Sequence, residues 1–262
     1  MCSEFRAFGR DILARKTGEI GTHLHAWNAP PVKPLLPDDY KYLPFLIEYS
    51  ADVMRAKVEY QTGLLSDVFG VQPVSHRAGR WALDTRYIEL LIENGYRVDC
   101  SVTPGVSWRA QGTAPLGRNG SDYRSFPVQP YWVDPSNISR PGSSPLLEVP
   151  MTIYCRAAYD SLRPQVLRSF LRRIRPDQLW LRPNGRNVSD LKDIVRRVRR
   201  ERRSYAEFML HSSEFMPGGS PIFRTSEDVE KLYSDLCSLF SAVSDFRGAT
   251  LQEYLAWYDS RN

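Results

Sequence analysis

His23 and His25 stand two residues apart in Gly21-Thr22-His23-Leu24-His25-Ala26-Trp27. The preceding Glu19-Ile20-Gly21 reads as the end of a β-strand. Side chains alternate faces along an extended backbone, so the two imidazoles point one way and Leu24 the other. Two imidazoles on one face can grip a single ion. Zinc accepts neutral ring nitrogens, and a catalytic zinc site keeps one position open for water. Taken alone, His-x-His fits equally a pair of surface or core histidines beside a Trp- and Pro-rich turn. The other two of the 4 histidines lie in His76-Arg77-Ala78-Gly79-Arg80-Trp81 and in Leu210-His211-Ser212-Ser213-Glu214. All four fall at expected strand ends and none on a helix face. Reactive side chains of α/β sheets and barrels collect at such ends.

The elements that must position these residues follow from hydrophobic period and turn chemistry. A helix is predicted over 3–16, with Phe5, Phe8, Ile12 and Leu13 as its apolar stripe. The strand carrying His23 and His25 leads into a Pro-rich, aromatic loop over 27–44. Ser50 caps a predicted helix over 51–69 that Gly70 closes. Next come a strand over 71–75, a helix over 83–93 and a strand over 96–102 carrying Asp99. The stretch 103–144, rich in Gly, Pro, Ser and Asn, reads as an extended excursion. Pro150 marks an edge or bulge in a strand over 146–154. Helices over 161–173 and 189–203, a strand over 206–210 delivering His211, and helices over 226–244 and 251–258 complete the chain. Strands alternating with helices imply an α/β fold of parallel β/α units in a single domain, 1–262.

Composition narrows the classes. The chain has 262 residues, 42% hydrophobic and 25% charged, enough for a sizeable globular core. Every apolar run is interrupted before it could cross a bilayer. The first residues, Met1-Cys2-Ser3-Glu4-Phe5-Arg6, lack a basic-then-apolar signal pattern. Four cysteines, Cys2, Cys100, Cys155 and Cys237, form no Cys-x-x-Cys pair and fit a reduced, cytoplasmic setting. The charge of +5 sits largely in the arginine run 196–203. That run reads as the solvated face of a helix whose inner face carries Leu191, Ile194, Val195 and Val198. No nucleic-acid-binding signature accompanies it. A Gly-x-Ser-x-Gly elbow and a glycine-rich phosphate loop are both absent.

These residues resemble the polysaccharide deacetylase (NodB-homology) superfamily of carbohydrate esterases. Glu19-Ile20-Gly21-Thr22-His23 resembles the motif whose histidine binds a divalent metal. That family usually places its second metal histidine four residues on, where this chain has Trp27. Here His25 would serve, as in a divergent branch with a His-x-His-Pro/Ala-Trp pattern associated with lipopolysaccharide biosynthesis. His76-Arg77-Ala78-Gly79-Arg80-Trp81 resembles the motif whose arginine orients the catalytic carboxylate, a role carried to Arg77. Tyr96-Arg97-Val98-Asp99-Cys100-Ser101 resembles the motif whose aspartate supports the acid histidine. Leu210-His211 resembles the motif of that histidine, the general acid. The resemblance runs from about Gly18 to Ser220.

It implies a NodB-like irregular (β/α) barrel and a zinc-dependent deacetylase acting on a sugar or polysaccharide. Metal ligands would be His23 and His25; catalytic residues would be His211, Asp99 and Arg77. The family's first motif, an upstream strand with paired acidic residues, has no counterpart before Glu19. The barrel is therefore expected to lack its first strand, through truncation at the N-terminus. Plainer roles stay open for Asp99 as a strand-end cap or arginine partner, for Arg77 as a salt-bridge former and for His211 in a turn. A rival expectation is a deacetylase-like protein that binds a glycan or a partner without turnover.

Overall fold

In the computed structural model, residues 2–109, 120–155 and 178–261 are described. They group into two compact units, 1–150 with 248–262, and 151–247. The helix expected over 161–173 lies outside the described residues.

The first unit opens with α1 (Ser3–Ala14). Its expected apolar stripe is largely outward, with Phe5 44% and Phe8 61% exposed. β1 (Thr22–Leu24) is short. The loop after it holds one helical turn, α2 (Asp39–Tyr42). α3 (Ala51–Phe69) buries Met54, Lys57, Val58, Thr62, Leu65 and Phe69, the three-and-four spacing of one helix face. Gly70 ends it at φ 69°, and its N–H returns to the Ser66 carbonyl. Lys57 is fully buried, and its Nζ donates to the carbonyls of Ala29 (2.6 Å) and Pro31 (2.9 Å). The lysine thus ties the Pro-rich loop to α3 by satisfying carbonyls that prolines leave without ladder partners.

β2 (Ser75–Ala78) begins later than the expected 71–75, because Pro73 cannot donate to a ladder. His76 and Arg77 therefore lie inside the strand. α4 (Thr85–Glu93) starts at Asp84, which caps the Tyr87 N–H at 2.9 Å. β3 (Val98–Asp99), β4 (Tyr131–Trp132) and β5 (Leu147–Glu148) complete a sheet of order β1-β2-β3-β5-β4. Its first four strands are parallel and β4 is antiparallel. Among the described residues this sheet does not close on itself, since β1 and β4 each have one hydrogen-bonded neighbour. Its core gathers Leu24, Phe45, Met54, Val58, Ile88 and Leu91.

In the second unit, β6 (Ile153–Cys155) pairs antiparallel with β7 (Gln178–Trp180). Pro150 splits the single strand expected over 146–154 into β5 and β6. α5 (Val188–Arg200) buries Leu191, Ile194, Val195 and Val198, the inner face expected of the arginine helix. Its arginines are used locally: Arg199 pairs with Asp245, and Arg197 and Arg203 lie over the Tyr154 ring. α6 (Ser226–Ala242) packs on α5. Residues 206–210 form no strand; the Glu207 N–H bonds the Thr152 hydroxyl instead of a ladder carbonyl. α7 (Leu251–Asp259) belongs to the first unit, where Tyr258 donates to the Pro130 carbonyl. Among the described residues no helix is long and apolar enough to cross a membrane.

Candidate functional site

The register of β1 on β2 sets the site. Thr22 faces His76, His23 faces Arg77 and Leu24 faces Ala78. Alternation sends Thr22, Leu24, His76 and Ala78 into the core and leaves His23 and Arg77 on the other face. The His23 Nδ1 lies 2.8 Å from the Arg77 carbonyl. A carbonyl only accepts, so Nδ1 carries the proton and Nε2 presents a lone pair. Ring fixation of this kind, through a backbone carbonyl, is what orients a metal-ligating histidine. The His23 Nε2 meets the His25 Nε2 at 3.2 Å, the rings edge to face. Two nitrogens each about 2.0–2.1 Å from a tetrahedral zinc would stand roughly 3.3 Å apart. The pair therefore fits two positions of one ion. Among the described residues no group of three His, Cys, Asp or Glu could complete such a site.

The loop after β2 closes against this pair. A Cβ on Gly79 would fall 2.2 Å from the Leu24 carbonyl oxygen and 2.8 Å from the His25 Nδ1. Only glycine lets the two strand ends approach so closely. The next two residues, Arg80 (φ 53°) and Trp81 (φ 61°), both occupy the left-handed region. Each costs about 1–2 kcal/mol there, and neighbours hold them. The Tyr123 hydroxyl donates to the Trp81 carbonyl, while the Ser121 hydroxyl brackets Leu83 through its N–H (2.8 Å) and carbonyl (2.7 Å). The Arg77 guanidinium lies 5.2 Å from the Trp81 ring centre and its Nε donates to the Cys100 carbonyl at 3.2 Å. His25 stacks at 4.5 Å on Trp27, which meets Tyr40 edge-on at 5.0 Å. Glu48 bonds the Phe45 N–H, and burial pushes its carboxyl up to about 7 against the opposing pull of that bond and of Arg80.

Asp99 lies on the core face, in a row with Thr22, His76, Glu148 and Tyr131 across the five strands. It is fully buried. Its oxygens take the His76 Nδ1 at 2.5 Å, the Ser101 hydroxyl at 2.8 Å and the Ser101 N–H at 2.9 Å. Burial alone would raise this carboxyl; the hydrogen bond and attraction of His76, with further bonds from Glu148 and Ser101, hold it below the usual range. His76 continues the chain to the Tyr87 hydroxyl at 2.8 Å. The histidine that Asp99 serves in the first unit is thus His76.

His211 belongs to the second unit. Its backbone N–H bonds Glu214 Oε2 at 2.8 Å, and its Nδ1 accepts from Arg182 at 3.2 Å. That contact leaves the ring proton on Nε2 of a half-exposed side chain. Arg182 also bonds Glu214 at 2.8 Å. Burial would raise the Glu214 carboxyl, yet bonds from His211 and Arg182 bring it down to about 2.

Sequence reasoning placed His23, His25, His76, Arg77 and His211 at strand ends. The register sets His23 beside Arg77, and a ring contact brings His25 to His23. His76 faces the core, and His211 lies in the second unit with no strand directly before it. Sequence reasoning overlooked Gly79, Arg80, Glu48 and the His76–Asp99 pair. The alternation of β2 was the available signal for His76, since it faces opposite to Arg77. Nothing in the sequence announces two consecutive left-handed residues at Arg80 and Trp81.

Fold and site together define a mixed α/β protein with a parallel sheet and a histidine pair at its edge. A solved structure of a "putative polysaccharide deacetylase from Mycobacterium smegmatis" shares this fold, with a TM-score of 0.51 and 16% sequence identity. The match covers 98% of this chain and 68% of that one. No protein family and no curated protein matches the chain.

Proposed function

We propose that this chain is a metal-dependent hydrolase that removes N- or O-acetyl groups from a sugar or polysaccharide intermediate of cell-surface polysaccharide synthesis. The observation that carries the reading is the pair of Nε2 atoms of His23 and His25, 3.2 Å apart with the His23 tautomer fixed by the Arg77 carbonyl. A zinc ion held by the two histidines would polarise the acetyl carbonyl and acidify a water. The Arg77 fork, steadied by Trp81, would orient a carboxylate. His211 would be the general acid for the leaving group in its doubly protonated form, in which Nδ1 faces the Glu214 carboxylate (3.8 Å) instead of accepting from Arg182. Asp99 would act at one remove, locking β2 to β3 beneath the histidine pair. A reduced, cytoplasmic setting belongs to this reading.

The second reading is a deacetylase-like protein that binds a glycan or a partner without turnover. Zinc content and acetate release from N-acetylated sugars separate the two. Stoichiometric zinc, lost in His23→Ala/His25→Ala, together with acetate release that falls in His211→Ala while zinc remains, is the outcome expected of the hydrolase. Zinc-free protein that releases no acetate would leave the binding reading in its place.

A further inference from the structure

Arg80 is a cation that the proposed reaction does not use. Its guanidinium carbon lies 5.3 Å from the Trp27 ring centre and 5.2 Å from that of Tyr40. The attraction of a guanidinium to ring faces uses its charge and does not use up its N–H donors, which seek oxygen acceptors. Among the described residues no oxygen hydrogen-bonds to Arg80. Glu48 feels its charge but forms no ion pair with it, and a carboxyl pushed up to about 7 neutralises it only in part. The side chain is half-buried and rises from a backbone at φ 53°, ψ 26°, a conformation that disfavours any residue but glycine. Trp27, which holds the arginine, also stacks on His25 at 4.5 Å. The guanidinium carbon and the His25 ring centre therefore stand less than roughly 10 Å apart, a span that one or two sugar rings bridge.

We propose that Arg80 is a recognition group for an anionic substituent, a carboxylate or a phosphate, on the sugar brought to His23 and His25. A bidentate pair with the guanidinium fork would then select acidic or phosphorylated sugars over neutral ones. The selection of a substrate rests on the deacetylase reading; the anion contact itself does not.

The test compares the wild type with Arg80→Gly and Arg80→Lys. Glycine adopts φ 53° without strain, so Arg80→Gly should unfold at or above the wild-type temperature. Inorganic phosphate and glucuronate are titrated calorimetrically into each protein. Acetate release is measured on N-acetylglucosamine, N-acetylglucosamine 6-phosphate and N-acetylmuramic acid. The wild type should prefer an anionic sugar in kcat/KM by about ten- to a hundredfold, the worth of one charge-assisted bidentate contact. The preference should vanish in Arg80→Gly and be weakened in Arg80→Lys, and whether phosphate or glucuronate binds identifies the anion. Equal rates on neutral and anionic sugars, or a preference that survives Arg80→Gly, would overturn the proposal while leaving the deacetylase reading intact. Phosphate or glucuronate binding that depends on Arg80, with no acetate from any sugar, would uphold the anion contact and remove the deacetylase reading.

Discussion

Replacing Gly79 by alanine tests whether strand-end packing shapes the histidine pair. The added methyl would fall 2.2 Å from the Leu24 carbonyl oxygen and 2.8 Å from the His25 Nδ1. A methyl carbon and a carbonyl oxygen need more than 3 Å, so one strand end must retreat by roughly 1 Å. The backbone conformation at Gly79 suits alanine, so the effect is steric alone. Overpacking of this kind costs about 1–3 kcal/mol, and here the obstacle is backbone rather than a flexible side chain. A retreat of that size would spread the two Nε2 atoms from 3.2 Å to roughly 4 Å, too far apart for one zinc. Gly63, in the middle of α3, is the matched control: its added methyl meets nothing within 4 Å. Gly63→Ala should stabilise the protein by about 0.5–1 kcal/mol through helix propensity. Denaturant unfolding and zinc titration of the two variants give the answer. A Gly79→Ala protein as stable as the wild type, with unchanged zinc affinity, would refute the idea that this close approach sets the site.

Two further predictions concern carboxylates. The Glu214 carboxyl, depressed from 4.5 to about 2, contributes stability that is complete above pH 4.5 and is lost as the pH falls toward 2. The contribution is on the order of 3 kcal/mol by proton linkage. Glu214→Gln should flatten stability across that window, which acid titration followed by circular dichroism would detect; an unchanged acid transition would contradict the assignment. Asp99→Asn breaks the buried pair with His76 and should destabilise the fold by about 3 kcal/mol, lowering the amount of folded protein while the folded fraction keeps its kcat. Should kcat collapse at unchanged stability, Asp99 would belong to the chemistry after all.

The sequence by itself determined what depends on near neighbours along the chain. The span of α3 follows from its apolar period and from Gly70, which ends it in the left-handed conformation. The buried stripe of α5 follows from the three- and four-residue spacing of Leu191, Ile194, Val195 and Val198. His23 and His25 converge because a short extended segment points alternate residues the same way. Strand limits were less legible: Pro73 delays β2 and Pro150 divides β5 from β6, whereas apolar runs suggested longer strands.

Tertiary structure decided the partners. Asp99 and His76 are bonded because β2 and β3 lie side by side in one register, and a one-residue slip would have turned either away. Arg77, next to His76 in sequence, is carried by the same strand to the opposite face and joins His23. Arg80 finds Trp27 and Tyr40 through a backbone conformation that its own residue type disfavours. Local preference could not foresee that conformation, because the contacts that hold it come from Ser121 and Tyr123, some forty residues further along the chain.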